Sequence, residues 1–384
     1  MTFDYLKGIV YNIIEFFVIH RKRHSDNKKK ILVIKVDEIG DYILFRKFLT
    51  PIIQSEICEG AIVHFCGNIA WKTLFDIEYP SVFAKHYWLN KKLFKSNILY
   101  RFSFLKRIYN EQYTVIINPT FSRAKRVDDA IVKAARAANN IGMVRNNENY
   151  KPFEMYYDRK LYTTLFKAGE KLLFELERNR QFASFLCKKE LPLQMKFDLS
   201  KINHYAVEGL PEKFIVVFPG SRSEHRIWPA KYFAEISSFF QENYHTTVVV
   251  CGAEADAKYA TDFINIYAGD CINLIGKTSL LQLLYILSKA YCLISVDTGS
   301  IHLAASVGCT TFGIFNGSQY GRFSPYPKNI EQNVYAIYPD EVDEAILKGD
   351  LGIYEYVVPI PYDSVPPKKV IDIIQQHFKF RHEI

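Results

Sequence analysis

At 384 residues the chain is too long for one ordinary α/β domain and comfortable for two. A content of 49% hydrophobic and 23% charged residues, with no low-complexity tract, excludes a disordered or fibrous chain. The formal charge is +8, yet six Lys/Arg against one Asp between His20 and Lys30 supply +5 of it, so the basicity is local and a nucleic-acid partner is not expected.

The chain opens on FDYLKGIVYNIIEFFVI (residues 3–19) followed by HRKRH. Asn12 and Glu15 interrupt the apolar stretch, which is too short for a spanning helix of about 20 residues. A signal peptide places its positive charge before the apolar region, and here the charge follows it. The remaining reading is an amphipathic helix with a basic end over residues 1–30. It either lies in an anionic membrane surface, as a peripheral protein would, or packs on the chain's own core. The seven cysteines form no C-x-x-C pair and sit in apolar runs such as Val250-Cys251, which suits buried thiols in a reducing cytoplasm.

ILVIKV (31–36) then reads as a buried strand, ending at Asp-Glu-Ile-Gly-Asp, with a helical pattern from Tyr42 to Ile53. Strands follow at AIVHFC (61–66) and TVIINPT (114–120), with a helix over Asp128–Ala138. Between Ser81 and Asn110 there are seven Lys/Arg and no acid, interleaved with Tyr87, Trp88, Phe94, Tyr100, Phe102 and Phe104. That stretch is either a face for an anionic glycolipid or membrane, with Lys91, Lys92 and Lys95 as its cations, or a solvated helix face over core aromatics.

After a helical span over about 160–190 the rhythm restarts: FIVVFPG (214–220), a helix near Ala230–Glu242, TTVVVCG (246–252), a helix near Ala255–Tyr267, CLISVD (292–297), a helix from Ser300, and TTFGIF (310–315). The expected organisation is an extension over 1–30, an acceptor-side Rossmann-like domain over 31–205, and a donor-binding one over 206–384 closed by the helix in PPKKVIDIIQQHFKF. The two doubly wound halves would face a cleft, with ligands beyond the carboxyl ends of the strands.

Neither G-x-G-x-x-G, G-x-x-x-x-G-K-[ST], G-x-S-x-G nor H-E-x-x-H occurs, which sets aside standard dehydrogenases, P-loop NTPases, serine hydrolases and zincins. Three strand ends carry chemistry instead. In DEIGDYILF, Gly40 allows a tight turn and Asp41 falls at a helix start, where it is either an N-cap or a base for an attacking hydroxyl; Asp37 and Glu38 are rivals. In PGSRSEHRIWP (219–229), Gly220, the hydroxyls of Ser221 and Ser223, and the cations of Arg222 and Arg226 converge just before a helix entered at Pro229, a set suited to a diphosphate. In SVDTGSIHLAASVG (295–308), Asp297, Thr298 and Gly299 arrive at a helix start with His302 one turn in. Glu254, just past TTVVVCG, is placed for a ribose hydroxyl or is simply an exposed acid.

Together ILVIKVDEIGD, YTVIINPTFSRAK with ANNIGM, PGSRSEHRIWP and DTGSIHLAAS resemble glycosyltransferase family 9, the ADP-heptose:lipopolysaccharide heptosyltransferases, over about residues 30–325. The resemblance implies a GT-B fold and metal-independent inverting transfer, without a cofactor, from a nucleotide-diphosphate sugar such as ADP-heptose to a lipopolysaccharide or other glycan acceptor. It matches Asp41 to the general base, 221–223 to the phosphate loop, Glu254 to the ribose contact, and Asp297–Gly299 with His302 to the donor loop. The family commonly carries Lys two residues before Trp-Pro, where this chain has Arg226. A GT-B epimerase or hydrolase, and a non-catalytic nucleotide-sugar-binding protein, remain alternatives.

Overall fold

The continuous β-branched runs become central parallel strands because both faces of such a strand are covered and alternation has no value there. The computed structural model describes residues 2–20, 28–146, 148–149, 161–169 and 172–382. These form two units, one of residues 1–171 with 177–192 and the other of 172–176 with 193–384. The second unit takes in the chain from 193, ahead of the expected start at 206. Phe197 N donates to Ser306 O at 2.7 Å and Lys196 bonds both Ala305 O and Glu331, which tie that segment to the second sheet.

The first unit holds six parallel strands: β1 (Lys30–Lys35), β2 (Ile62–Asn68), β3 (Lys85–Leu89), β4 (Val115–Asn118), β5 (Asn139–Met143) and β6 (Thr164–Phe166), in the order β3-β2-β1-β4-β5-β6. Around them lie α1 (Thr2–Ile19), α2 (Ile39–Ile43), α3 (Leu49–Ile53), α4 (Lys72–Glu78), α5 (Lys91–Ser96), α6 (Ile98–Asn110) and α7 (Asp128–Ala135). The expected helix over 42–53 is broken into α2, a 3₁₀ turn at Arg46–Phe48, and α3.

α1 packs on this unit's core through Tyr11, Ile14 and Val18. Its Glu15 is buried against Arg101 at 2.8 Å and Lys133 at 2.9 Å. The basic run that follows α1 lies mostly outside the described residues. Over 81–110 the structure follows the second of the two readings, core aromatics beneath a solvated basic face. Tyr87, Phe94 and Phe104 are core residues, and Lys91 is turned toward Glu38 at 2.7 Å. Apolar rings along these elements gain more from burial than from solvent, and the lysine gains a carboxylate.

The second unit repeats the pattern with β7 (Phe214–Phe218), β8 (Thr247–Val250), β9 (Cys271–Asn273), β10 (Cys292–Val296), β11 (Thr311–Ile314) and β12 (Val334–Ile337), ordered β12-β11-β10-β7-β8-β9. Counted from each unit's first strand, both orders are 3-2-1-4-5-6, the dinucleotide-fold order whose reversal lies between strands one and four. The Trp228 indole, fully buried, donates to Val365 O at 2.9 Å and fastens the approach to the closing helix Pro367–His382.

Candidate functional site

In the first unit the reversal falls between β1 and β4, and the loop after β1 carries Asp37, Glu38 and Asp41. Glu38 is the N-cap of α2, and its backbone N–H is 3.4 Å from Asp41 Oδ2 in a reciprocal capping box. Asp41 is half-buried. The two rival acids are committed to cations: Asp37 pairs with Lys35 at 2.8 Å and Glu38 with Lys91 at 2.7 Å. Burial pushes the Asp37 carboxyl above the usual range, with Lys35 pulling it back. The Asp37 carbonyl accepts from Asn68 Nδ2 and Trp71 Nε1, so neighbouring elements hold the loop in place.

Across the same reversal stands a carboxylate the sequence did not single out. Asp128, first residue of α7, accepts from Ala124 N at 2.9 Å, and its Oδ1 is buried without a hydrogen-bond partner, as is Oδ1 of Asp37. Burial raises the Asp128 carboxyl too, and its charge raises Asp37 in turn. Unpaired buried acceptors of this kind are polar positions a hydroxyl-rich ligand can satisfy.

In the second unit the reversal lies between β7 and β10, and two of the expected loops meet there. Arg226 Nη1 sits 3.0 Å from Asp297 Oδ2 and donates to Asp297 O at 3.4 Å. Asp297 is buried, which raises its carboxyl, while the guanidinium lowers it. The guanidinium carries further N–H donors that this one carboxylate does not exhaust. Ser223 N donates to Ser221 Oγ at 3.3 Å, and Arg222 lies exposed on the same turn.

Thr298 is the N-cap of the helix Gly299–Val307 and makes no side-chain cap bond. Its hydroxyl joins Ser300 at 2.6 Å, which joins Ser295 at 2.8 Å. The helix therefore opens on backbone N–H groups and hydroxyls, with the positive end of its dipole at the strand reversal.

Gly220 is packed tightly against a neighbouring side chain. A Cβ there would lie 2.4 Å from Cβ of Asp256, so the loop rests directly on that side chain. Asp256 Oδ2 accepts from Ala253 N at 2.8 Å, capping the turn Glu254–Asp256 after β8. Glu254 is exposed at the head of that turn, away from the Arg226–Asp297 pair in sequence but on the neighbouring strand end.

His302 is buried and its Nδ1 bonds the Tyr326 hydroxyl, with Phe323 beside it. Desolvation drops its pKa to about 4, against a smaller opposing effect of Glu175, so the ring is neutral at physiological pH. Tyr326 and Glu175 lie far from His302 in sequence, and no local pattern announces them.

Arg226 and Ser223 also line a hollow of about 780 Å³ in the same unit, closed by Asn316, Ser318, Val358 and Tyr362. Asn316 Nδ2 donates to Ile360 O at 2.8 Å and Val358 N donates to Ser318 Oγ at 3.0 Å, stitching the segment 357–361 over it. Nothing in the sequence marked this strap, because its apolar and proline residues read as an ordinary connection.

Residues 101–348 match the model of glycosyltransferase family 9 (heptosyltransferase), well over half the chain. Over 129 residues the chain is 26% identical to lipopolysaccharide heptosyltransferase 3 of Escherichia coli (strain K12), covering 32% of this chain and 37% of that protein. The match to the Haemophilus influenzae lipopolysaccharide core heptosyltransferase OpsX is 25% identical over 34% of this chain and 38% of that one. The matched stretches thus span little more than a third of either curated relative. Among solved structures, the glycosyl transferase family 9 protein from Veillonella parvula DSM 2008 superposes with a TM-score of 0.66 at 15% identity, over 91% of this chain and 96% of that one. E. coli heptosyltransferase WaaC with ADP-2-deoxy-2-fluoro heptose gives 0.63 at 15% identity, over 91% and 99%. These likenesses show the fold, an α/β GT-B arrangement of two Rossmann-like doubly wound sheets.

Proposed function

The chain belongs to glycosyltransferase family 9, and from that premise we propose that it is an inverting glycosyltransferase moving heptose or a similar sugar from a nucleotide-diphosphate donor to a lipopolysaccharide or other surface glycan. The observation that carries the reading is the Arg226–Asp297 pair at 3.0 Å, which joins the loops after β7 and β10 at the strand reversal of the second sheet. There a buried carboxylate orients a guanidinium beside hydroxyls and an open helix start, a set of donors suited to a diphosphate leaving group. The WaaC structure was solved with an ADP-linked heptose analogue, which makes ADP-heptose the first donor to try.

In the proposed reaction an acceptor hydroxyl oxygen bonds to the anomeric carbon as the bond from that carbon to the β-phosphate oxygen breaks. The hydroxyl proton passes to the Asp41 carboxylate, and the electron pair of the broken bond stays on the nucleoside diphosphate. Arg226, Arg222, Ser221, Ser223 and the N–H groups at Gly299 and Ser300 stabilise the charge that grows there. Glu254 takes the ribose hydroxyls. Asp297 acts on the donor through Arg226, and Gly220 and His302 set the backbone beneath. Asp41 is offered as the base because it sits in the first turn of α2, just past the loop after β1, with its carboxylate facing the Glu38 N–H at 3.4 Å. No metal or cofactor is assigned a role.

The test is to incubate the chain with ADP-, UDP- and GDP-linked sugars, with and without a lipopolysaccharide-core acceptor, and measure nucleoside diphosphate and free sugar. Diphosphate release that requires acceptor supports transfer. Free or epimerised sugar without acceptor would replace this reading with the hydrolase or epimerase one. Absence of release with any donor, despite binding, would mark a non-catalytic binder. The anomeric configuration of the product checks inversion, and activity in chelator checks metal independence.

A further inference from the structure

Helix α1 is fixed to the first unit by one face, and its other face has no partner among the described residues. Tyr11, Ile14, Glu15 and Val18 point inward. Ile9, Val10, Ile13, Phe16 and Phe17 point out, with Phe16 54% and Phe17 62% exposed. At about 100° per residue these five positions fall on one stripe covering about a third of the helix circumference. The stripe is not forced outward by crowding or by polar need, since the inward face already fills its share of the core. Five large apolar side chains in a row on one exposed face are the feature that needs a partner.

The surroundings of the stripe say what kind of partner it is. Tyr11 OH donates to Lys95 O at 2.5 Å, which seats α1 beside α5, where Lys92 and Lys95 are exposed and Leu93 and Leu99 protrude. Arg126 lies over Gly8, Lys133 bridges to Glu15, and Arg136 donates to Ile19 O at 3.0 Å. Beyond the helix the sequence adds six Lys/Arg between His20 and Lys30. Against these cations the one acid of α1 with a described side chain, Glu15, is buried. An apolar stripe rimmed by cations is complementary to a lipid bilayer with anionic headgroups: rings and branched chains enter the acyl boundary while the rim meets phosphates. A second copy of the chain would bring the same cationic rim against its own, which opposes self-association on this face.

We propose that α1, with the α5–α6 corner, is an interfacial docking surface for an anionic lipid bilayer. The proposal does not rest on the transferase reading, because none of the residues it uses is given a part in the proposed reaction. It accounts for an amphipathic helix that is tethered by a buried ion pair yet leaves its most apolar side to solvent.

The experiment is co-sedimentation of the full chain with phosphatidylcholine vesicles, with and without phosphatidylglycerol. The expected result is binding to the anionic vesicles and at least about tenfold less to the neutral ones. The double substitution Phe16→Ser/Phe17→Ser should cut binding by about tenfold or more, and thermal unfolding should confirm a folded chain because both rings lie outside the core. Lys92→Glu/Lys95→Glu provides a second variant that leaves α1 untouched, and it too should weaken binding to anionic vesicles. The proposal falls if the unmodified chain stays in the supernatant, or if both variants sediment as it does. It also falls if light scattering finds a dimer that the Phe16→Ser/Phe17→Ser variant dissolves while vesicles are ignored, since the occupant would then be a second copy.

Discussion

Replacing Arg226 with alanine separates two duties of one side chain. Asp297 is buried and Arg226 Nη1 is its cation at 3.0 Å, so truncation leaves a carboxylate without its countercharge. Breaking a fully buried pair costs about 3–5 kcal/mol; the Arg226 side chain keeps 32% exposure, and solvent screening brings the expected loss to about 2 kcal/mol at neutral pH. The pH dependence has a definite sign. Asp297 titrates above its ordinary 3.8 because burial outweighs Arg226, so the folded state binds its proton more tightly than the unfolded chain does. Stability from this group is therefore greatest below about 3.8 and declines as pH rises through the raised folded value. Without Arg226 that value moves further up, so the variant should resemble the parent near pH 4 and fall short of it at pH 7.5. Adding Asp297→Asn removes the charge and should recover about half of the loss. Urea unfolding at the two pH values reads all of this. Calorimetry with ADP reads the second duty: losing a charge-assisted bond worth about 1.5–3 kcal/mol should weaken binding by roughly 10- to 100-fold. Equal destabilisation at both pH values, no rescue by Asp297→Asn, and unchanged ADP affinity would together refute the reasoning.

Asp41→Asn should lower the transfer rate by about 10³-fold or more while donor affinity, read by calorimetry, stays nearly constant; a fully active variant would remove Asp41 from the mechanism. Gly220→Ala forces a Cβ to 2.4 Å from Asp256 and should cost about 1–3 kcal/mol in urea unfolding, with weaker donor binding because the 221–226 turn shifts. His302 has its pKa depressed from 6.5 to about 4, so the parent should lose about 3 kcal/mol as pH falls between those values, a slope that His302→Gln should largely abolish in pH-dependent thermal unfolding. Glu15→Ala leaves Arg101 buried without its carboxylate and should cost about 3 kcal/mol, loosening α1, which proteolysis of the first 20 residues would report.

The parts of the fold carried by local pattern were legible. β1, β4, β7, β8, β10 and β11 were visible as unbroken β-branched runs, and the helix Gly299–Val307 as small residues after a cap. The edge strands β3, β6, β9 and β12 were not, since Lys85–Leu89 and Val334–Ile337 gain their character from pairing with a neighbour and are too short or too mixed to announce it. Likewise Arg226 and Asp297 were readable as candidate site residues near strand ends, but their pairing across 71 residues was not. Asp256 under Gly220, Asp128 opposite Asp37, and Tyr326 on His302 share this invisibility: each is a contact made by tertiary packing, with no spacing rule to predict it.

One topology used twice explains why the two units differ so sharply in charge at the same place. Both sheets reverse between their first and fourth strands, so each exposes the ends of those two strands to a ligand. In the first unit these ends carry Asp37, Glu38, Asp41 and Asp128, and the lysines nearby are drawn onto two of them. In the second they carry Arg222, Arg226, four hydroxyls and a helix start, with Asp297 holding the arginine. Carboxylates suit a partner rich in hydroxyls, one of which must lose a proton, whereas cations and N–H groups suit a partner whose phosphates gain charge. Under the proposed function, exchanging the two loop chemistries would keep both sheets and abolish transfer. A chimera with the 220–226 loop replaced by neutral residues should thus keep its fold by circular dichroism and lose nucleoside-diphosphate binding, and retained binding would place the donor elsewhere in the chain.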